Sequence, residues 1–351
     1  MKTFILSNKN KEEYERLLLE DENTLILSTL KYRSLLEWIT ECEPYYIVAY
    51  ENDKMVGCLP TFLKRNQKYG NVLNSLPWYG SNPGITLSLC CNKTDVIDGL
   101  IKSFHRLALE HNCISSTLVN RPFEDDMNFI GYDFLDKRIG MFTHLPVFDN
   151  DIDKKLMDII HSKTRNLIRK AQKVGITSYH SNSIDDLMFL AETHKRNMET
   201  VGAPVKDRDF FMKLSDIFEY DKDYRVYIAE LDGVKIGGLL LLYFNKTVEY
   251  FTPAIDVKYR SYQPLNHLIF NSMKDMSEKG FKYWNWGGTT LPGMEGVYHY
   301  KKRWGSHECV YHYYTTFYRD LHIIRQTSSD VLLKEYPHFY VIPFSKLEDI
   351  K

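Results

Sequence analysis

Tyr224-Arg-Val-Tyr-Ile-Ala-Glu-Leu-Asp-Gly-Val-Lys-Ile-Gly237 reads as a strand, a tight turn and a second strand, with Asp232-Gly233 at the turn. Upstream, Tyr45-Tyr-Ile-Val-Ala-Tyr-Glu-Asn-Asp-Lys-Met-Val-Gly57 reads the same way around Asn52-Asp53. With Ala49 set on Ala229, Val56 falls on Ile236 and Gly57 on Gly237. Each hairpin leads to a further strand, 71–77 in the first half and 247–255 in the second. An amphipathic helix follows each strand. Val96, Ile97, Leu100, Ile101, Phe104 and Leu107 recur at helical spacing in the first, and Leu265, Leu268, Ile269, Met273 and Met276 in the second. Each helix returns to a strand, 113–119 and 281–286. Hairpin, strand, helix, strand therefore occurs twice, and two tandem copies of one mixed α/β (α+β) unit are the simplest fold.

A chain of 351 residues accommodates two domains. The seam is expected in the acidic, Pro146-containing stretch 145–153, giving domains 1–150 and 151–351. Residues 151–175 are expected to be helical and basic, with Lys163, Arg165, Arg169, Lys170 and Lys173 inside eleven residues. Helices are also expected over 183–201, 207–218 and 320–334. The Pro-containing extension 335–351 is expected to be dispensable from residue 337 onward.

Composition narrows the function. A net charge of −1 confines any nucleic-acid contact to a local patch, and DNA is not an expected partner. Cys42, Cys58, Cys90, Cys91, Cys113 and Cys309 form no CxxC pair, as suits thiols in a reducing cytoplasm. The longest fully apolar stretch, 236–244, has nine residues, too few to span a bilayer, and the first residues lack a signal-peptide layout. A cytoplasmic protein with no stable membrane insertion is expected. HExxH, Walker A, GxSxG, GxGxxG and zinc-spaced Cys/His clusters are all missing from the sequence, so no metal and no bound cofactor are expected.

The chemistry concentrates in 281–305. Phe281-Lys-Tyr-Trp-Asn-Trp-Gly-Gly-Thr-Thr ends in a glycine pair where a ligand could approach the backbone, and Tyr300-Lys301 follows in an aromatic, basic segment. One lysine behind such a strand end suits group transfer at a carbonyl. A second element is the passage from Tyr250 through Arg260-Ser-Tyr-Gln-Pro264 to Asn266. Pro264 suits a first helical turn, whose N–H groups with Arg260 nearby would receive an anion.

The duplicated unit, the helix Lys163-Thr-Arg-Asn-Leu-Ile-Arg-Lys-Ala and the run from Pro264 through Asn285-Trp-Gly-Gly to Tyr300-Lys-Lys-Arg-Trp-Gly305 resemble the FemAB-like branch of the GNAT acyltransferase superfamily. The resemblance spans about 45–314 and implies two tandem GNAT-like domains sharing a central cleft, the first supporting substrate and the second catalytic. By position, Tyr300-Lys301 matches the family's Phe-Lys pair, whose lysine stabilises the oxyanion of acyl transfer. Asn285, Trp286 and Gly287 match its Asp/Asn-Phe-Gly turn, and Lys163, Arg165 and Arg169 lie on its basic, phosphate-contacting helix. Trp78, Tyr79 and Asn82 fall in its first-domain substrate loop. Together with Tyr250 these are the expected substrate contacts, while Arg260, Gln263 and Asn266 are the expected contacts to the donor. The sequence departs from ordinary GNAT enzymes in having no glycine between Arg260 and Pro264.

The expected function is N-acyl transfer from acyl-CoA or aminoacyl-tRNA, used as co-substrate, to the amine of a small-molecule, nucleotide-sugar or cell-envelope precursor. The alternatives are a Fem-type peptidyltransferase of peptidoglycan precursors that binds tRNA, and a GNAT-like ligand-binding module without catalysis.

Overall fold

The computed structural model describes residues 1–77, 81–122 and 131–342. The chain forms two compact units, one of residues 1–140 with 309–351 and the other of residues 141–308.

The first unit opens with β1 (Lys2–Ile5), α1 (Lys11–Glu20), α2 (Leu30–Thr40) and the short β2 (Glu43–Pro44). The first hairpin follows as β3 (Ile47–Glu51) and β4 (Lys54–Leu59), then β5 (Phe62–Lys64), β6 (Asn71–Asn74), β7 (Thr86–Leu87), α3 (Lys93–Glu110) and β8 (Cys113–Val119). Asn52 and Asp53 both have positive φ (49° and 58°), as a two-residue hairpin turn requires. β3 and β4 pair antiparallel, β5 pairs antiparallel with β6, and β6 runs parallel to β8. Val96, Leu100, Phe104 and Leu107 of α3 close over Ile47, Ala49, Leu63 and Leu73, so the helical periodicity read from sequence is the core-facing stripe.

The strand β9 (Phe134–His144) carries the chain into the second unit. There α4 (Ile152–Ile159), α5 (Ser162–Val174), β10 (Thr177–Ser181), α6 (Ile184–Val201) and α7 (Arg208–Ile217) precede the second hairpin, β11 (Tyr224–Leu231) and β12 (Val234–Phe244). β13 (Thr247–Ile255), α8 (Pro264–Glu278), β14 (Tyr283–Thr289) and α9 (Glu295–Lys302) follow. Strands β10 to β13 pair antiparallel in sequence order, and β14 runs parallel to β13. A Cβ on Gly238 would meet Leu190 of α6 at 3.0 Å, and one on the adjacent Gly237 would meet Pro264 of α8 at 3.5 Å. Neighbouring strand residues point to opposite faces, so α6 and α8 cover the two sides of the sheet.

The repeat extends to irregularities. Ala49 pairs with Gly57 and Tyr50 with Met55, leaving Val56 as a bulge; Ala229 pairs with Gly237 and Glu230 with Lys235, leaving Ile236 as the same bulge. The copies differ where the second keeps β12 as one strand of 11 residues. In the first unit Pro60 interrupts it: Pro has no N–H for a ladder, and β4 and β5 enter separate pairings.

The return strand β15 (Ser306–Phe317) is followed by α10 (His322–Gln326) and α11 (Ser329–Glu335). Three expectations are corrected here. The segment 309–351, assigned from sequence to the second domain, packs in the first unit. The basic stretch 151–175 is two helices, because Ile160 is extended (ψ 137°) and His161 starts α5 by accepting the Lys163 N–H at its Nδ1 (3.2 Å). The stretch 320–334 likewise divides into α10 and α11.

The tail was expected to be dispensable from residue 337 onward, but its described part is packed into the first unit. Phe339, Val341 and Ile342 are buried. Asn74 donates its side-chain N–H to the Tyr340 carbonyl (2.9 Å) and accepts the Tyr340 N–H (2.7 Å), while the Ser115 hydroxyl donates to the Val341 carbonyl (2.7 Å). The Arg138 guanidinium lies between the rings of Tyr313 and Tyr340, 4.9 and 5.1 Å from their centroids. Each buried apolar side chain contributes about 1.5–3 kcal/mol, so the tail's share matches the whole margin of a typical domain. Removal of residues 337–351 is therefore expected to unfold the first unit, read as loss of its cooperative melting transition and rapid proteolysis. A full-length-like melt would refute this.

Candidate functional site

In the second unit β13 is an apolar strand with one carboxylate inside it. Glu249 pairs in register with Asn285 on β14. Asn285 Nδ2 donates to both carboxylate oxygens of Glu249 (3.2 and 3.0 Å), and Asn285 Oδ1 accepts the Gly287 N–H (2.9 Å). Burial pushes the Glu249 carboxyl up to about 8, the Asn285 amide offsetting only part of that, so the side chain is mostly protonated at neutral pH. Gly287 has φ 67°, a conformation that glycine adopts without cost. The Gly287-Gly288 pair, read from sequence as a turn, lies instead within the end of β14.

Helix α9 sets its basic residue against that strand end. The buried Lys301 ammonium donates to the Gly288 carbonyl (3.1 Å) and the Thr289 hydroxyl (3.0 Å). No carboxylate pairs with it among the described residues, and burial lowers it to about 8. Two of its three N–H donors are spent and one remains. Tyr300, beside it, reaches Asn266 Oδ1 with its hydroxyl at 3.5 Å, and burial raises its phenol.

The wall next to these groups is aromatic. Tyr250 lies 5.0 Å from Trp286, which lies 5.7 Å from Trp284 and 6.0 Å from Trp304; Tyr300 lies 6.3 Å from Trp304. Trp286 donates its indole N–H to the Thr143 hydroxyl (2.9 Å). The buried indole N–H groups of Trp284 and Trp304 have no partner among the described residues. Lys301, Tyr300, Tyr250, Asn285, Trp286 and Gly287, all named from sequence, are thus tied into one region of the second unit.

Other named residues sit differently. A 3-10 turn over Val257–Tyr262 joins β13 to α8, and Gln263 enters the helix with φ 68°. Of the first helical positions, Pro264 has no N–H and Asn266 donates its own to the Gln263 carbonyl (3.1 Å), so the expected anion-receiving turn is largely spent on itself. Asn266 Nδ2 donates to Gln263 Oε1 (2.9 Å), and Arg260 is exposed. On α5, Lys163 and Arg169 are exposed, whereas Arg165 donates to the Met157 carbonyl of α4 (3.1 Å). In the first unit Asn82 Oδ1 accepts the Gly84 N–H (3.1 Å), closing a local turn. Trp78 and Tyr79 lie outside the described residues.

Glu249 was not singled out from the sequence. Its signal was a single ionisable residue in the strand Thr247-Val-Glu-Tyr-Phe, but the partner that gives it meaning depends on the register of β14.

Residues 161–302 match the family model described as an acetyltransferase (GNAT) domain. No curated protein matches by sequence. Solved structures match over most of the chain. FemX aligns at 15% identity with a TM-score of 0.68, covering 90% of this chain and 97% of that one. The C-terminal domain of a putative lysylphosphatidylglycerol synthetase from Agrobacterium fabrum aligns at 10% identity and TM-score 0.57, covering 93% and 96%. A tandem GNAT protein from the clavulanic acid biosynthesis pathway aligns at 8% identity and TM-score 0.50, covering 91% and 99%. At these identities the likeness is one of fold.

Glu249 makes stability pH-dependent. Its carboxyl is raised in the folded chain, so the native state holds a proton that the unfolded chain releases above its ordinary value of 4.5. Its contribution is therefore full below that value and lost as pH rises toward about 8. His194 and His338, pushed down to about 4 by burial, act in the opposite sense but only below their ordinary 6.5. Between about pH 6.5 and 7.5 the melting temperature is expected to fall, with a slope of up to about 1.4 kcal/mol per pH unit; closer to 8 Lys301 and Lys206, each lowered to about 8 by burial, act in the opposite sense and flatten the curve. Glu249→Gln should flatten that stretch, and an equal slope in both proteins would show that Glu249 is not the titrating group.

Proposed function

From the match of residues 161–302 to an acetyltransferase (GNAT) domain, we propose that the chain is an acyltransferase that moves an acyl or aminoacyl group from an activated carrier to an amine, with Lys301 as the oxyanion donor. One observation carries the reading: Lys301 is a buried ammonium without a counter-ion, anchored to Gly288 and Thr289 and keeping one N–H unspent. Burying such a charge is costly unless something negative visits it. In acyl transfer something does. The amine lone pair adds to the carrier's carbonyl carbon, and the carbonyl oxygen becomes an anion. The C–S or C–O bond to the carrier then breaks, and the carrier departs with the proton lost by the amine. A preorganised donor at the oxyanion supplies about 3–4 kcal/mol of transition-state stabilisation.

The other residues act through position. Glu249 holds Asn285, Asn285 holds the Gly287 N–H, and the strand end so formed presents the carbonyl and hydroxyl on which Lys301 rests. Tyr250, Trp286 and Tyr300 supply an apolar wall that excludes water and strengthens the Lys301 interaction. The fold likeness to FemX supports a small-molecule, nucleotide-sugar or cell-envelope precursor as the source of the amine.

For the donor, the GNAT domain supports acyl-CoA. The closed turn at Val257–Tyr262 favours a second reading, an aminoacyl ester on tRNA, because Pro264 and Asn266 leave little backbone N–H for a pyrophosphate. Lys163 and Arg169, exposed on α5, would then meet phosphates of donor or acceptor.

Lys301→Ala is expected to lower kcat by about 10²–10³ with KM little changed. Unchanged turnover would remove Lys301 from the chemistry. The donor is separated by thermal shift: a ligand at 100 times its Kd adds about 2.7 kcal/mol of stability. Stabilisation by acetyl-CoA that persists in salt identifies the thioester donor. Stabilisation by tRNA that fades as salt rises identifies the aminoacyl ester.

A further inference from the structure

A second cation in the same unit, half-buried, is not used by the reaction above. The loop 202–207 joins α6 to α7, and within it the half-buried Lys206 reaches back to β13. Its Nζ donates to the Thr252 hydroxyl (3.1 Å) and to the Phe251 carbonyl (3.4 Å), and sits 4.7 Å from the Phe251 ring centroid. No Asp or Glu pairs with it among the described residues. As with Lys301, one N–H is unspent.

His194 of α6 is its neighbour. His194 Nε2 accepts the Lys206 backbone N–H (3.3 Å), so the ring is neutral with its proton on Nδ1. That Nδ1 is buried and has no partner among the described residues. Two neighbouring residues beside β13 therefore hold unused donors, one N–H of the Lys206 ammonium and the neutral Nδ1–H of His194.

The strand register places them on a defined face. Leu240 pairs with Thr252 and Leu241 with Tyr250, which leaves Phe251 as a bulge. Leu242 pairs with Glu249. Leu240 and Leu242 share a face, and so therefore do Thr252 and Glu249. It is the α6 face, since Gly238 contacts Leu190 there.

We propose that Lys206 and His194 form a pocket for the carboxylate of the acceptor, so that the amine acylated by this protein belongs to a molecule that also carries one negative charge. The inference rests on the acyl-transfer reading. A clamp on the bulge accounts for the two bonds Lys206 makes, but it needs no charge and leaves His194 Nδ1 idle. One ammonium and one neutral N–H match a planar monoanion. A phosphate dianion would bring a second negative charge that the one Lys206 ammonium does not match. Lys206 is half-buried in a loop whose residues 202, 204, 205 and 207 are exposed.

The test is equilibrium binding of four probes to the full chain: glycine, acetate, ethanolamine and inorganic phosphate. Glycine and acetate are expected to bind and ethanolamine to fail. Lys206→Gln keeps a donor for the Phe251 carbonyl and Thr252 hydroxyl but removes the charge, and should weaken both carboxylates about tenfold or more. Lys206→Arg should restore most of the affinity. Lys301→Ala should bind both probes as the wild type does. That separates the two ideas: intact turnover in Lys301→Ala would sink the transfer mechanism, while probe binding tests the pocket alone. Equal binding by wild type and Lys206→Gln, ethanolamine binding as well as glycine, preference for phosphate, or no carboxylate binding at all would each overturn the pocket.

Discussion

The side chain of Asn285 works in two directions, and the second unit is organised around it. Its amide N–H group faces the Glu249 carboxyl across a parallel strand pair, and its carbonyl takes the Gly287 N–H. The strand end beyond it provides the carbonyl and hydroxyl that seat Lys301. Each of these groups would be expensive to bury alone. Joined, they form one satisfied network, with donors and acceptors matched as far as Lys301's last N–H. A single amide thus links a buried acid to the strand end on which a buried ammonium rests.

The two units show what duplication preserves and what it relaxes. The hairpin bulges at Val56 and Ile236 are retained at matching positions, because an extra residue shifts every side chain beyond it to the other face and cannot drift without exposing the core. Strand length is not held so tightly. One proline, Pro60, divides in the first unit what β12 keeps whole in the second, and β6 has 4 residues where β13 has 9. The longer strand has room for a bulge at Phe251, an internal carboxyl and a half-buried lysine beside it; the shorter one has not. The proposed chemistry lies in the copy whose ladder was left unbroken.

The repeat was readable in the sequence because hairpin turns are local. Asn52-Asp53 and Asp232-Gly233 announce their own geometry, and the spacing from Ala49 to Gly57 and from Ala229 to Gly237 needs no knowledge of distant partners. Lys301, Tyr300 and Asn285 were found through a motif, which is also local. What was missed depends on long-range register. Glu249 is one acid in an apolar strand until β14 is laid beside it, and Lys206 looks like a loop residue until β13 bulges toward it. The break at Ile160 was hidden because no Pro or Gly marks it: Ile160 turns extended after one helix and His161 caps the start of the next. Burial of the tail was hidden for a related reason, since Asn74 and Ser115 lie more than two hundred residues before the backbone they hold.

That separation has a consequence for synthesis. Residues 141–308 are one continuous segment, whereas the first unit is assembled from both ends of the chain. On the ribosome the unit that begins first must finish last: β8, paired on one side with β6, lacks its antiparallel neighbour until 313–317 emerge, and Asn74 lacks its own partner until Tyr340 does. The later-encoded unit can close while the earlier one waits with an open sheet edge, the state in which strands are most prone to wrong pairing. The topology favours nascent-chain folding from the middle outward, with a vulnerable period set by the time needed to translate the whole of the second unit.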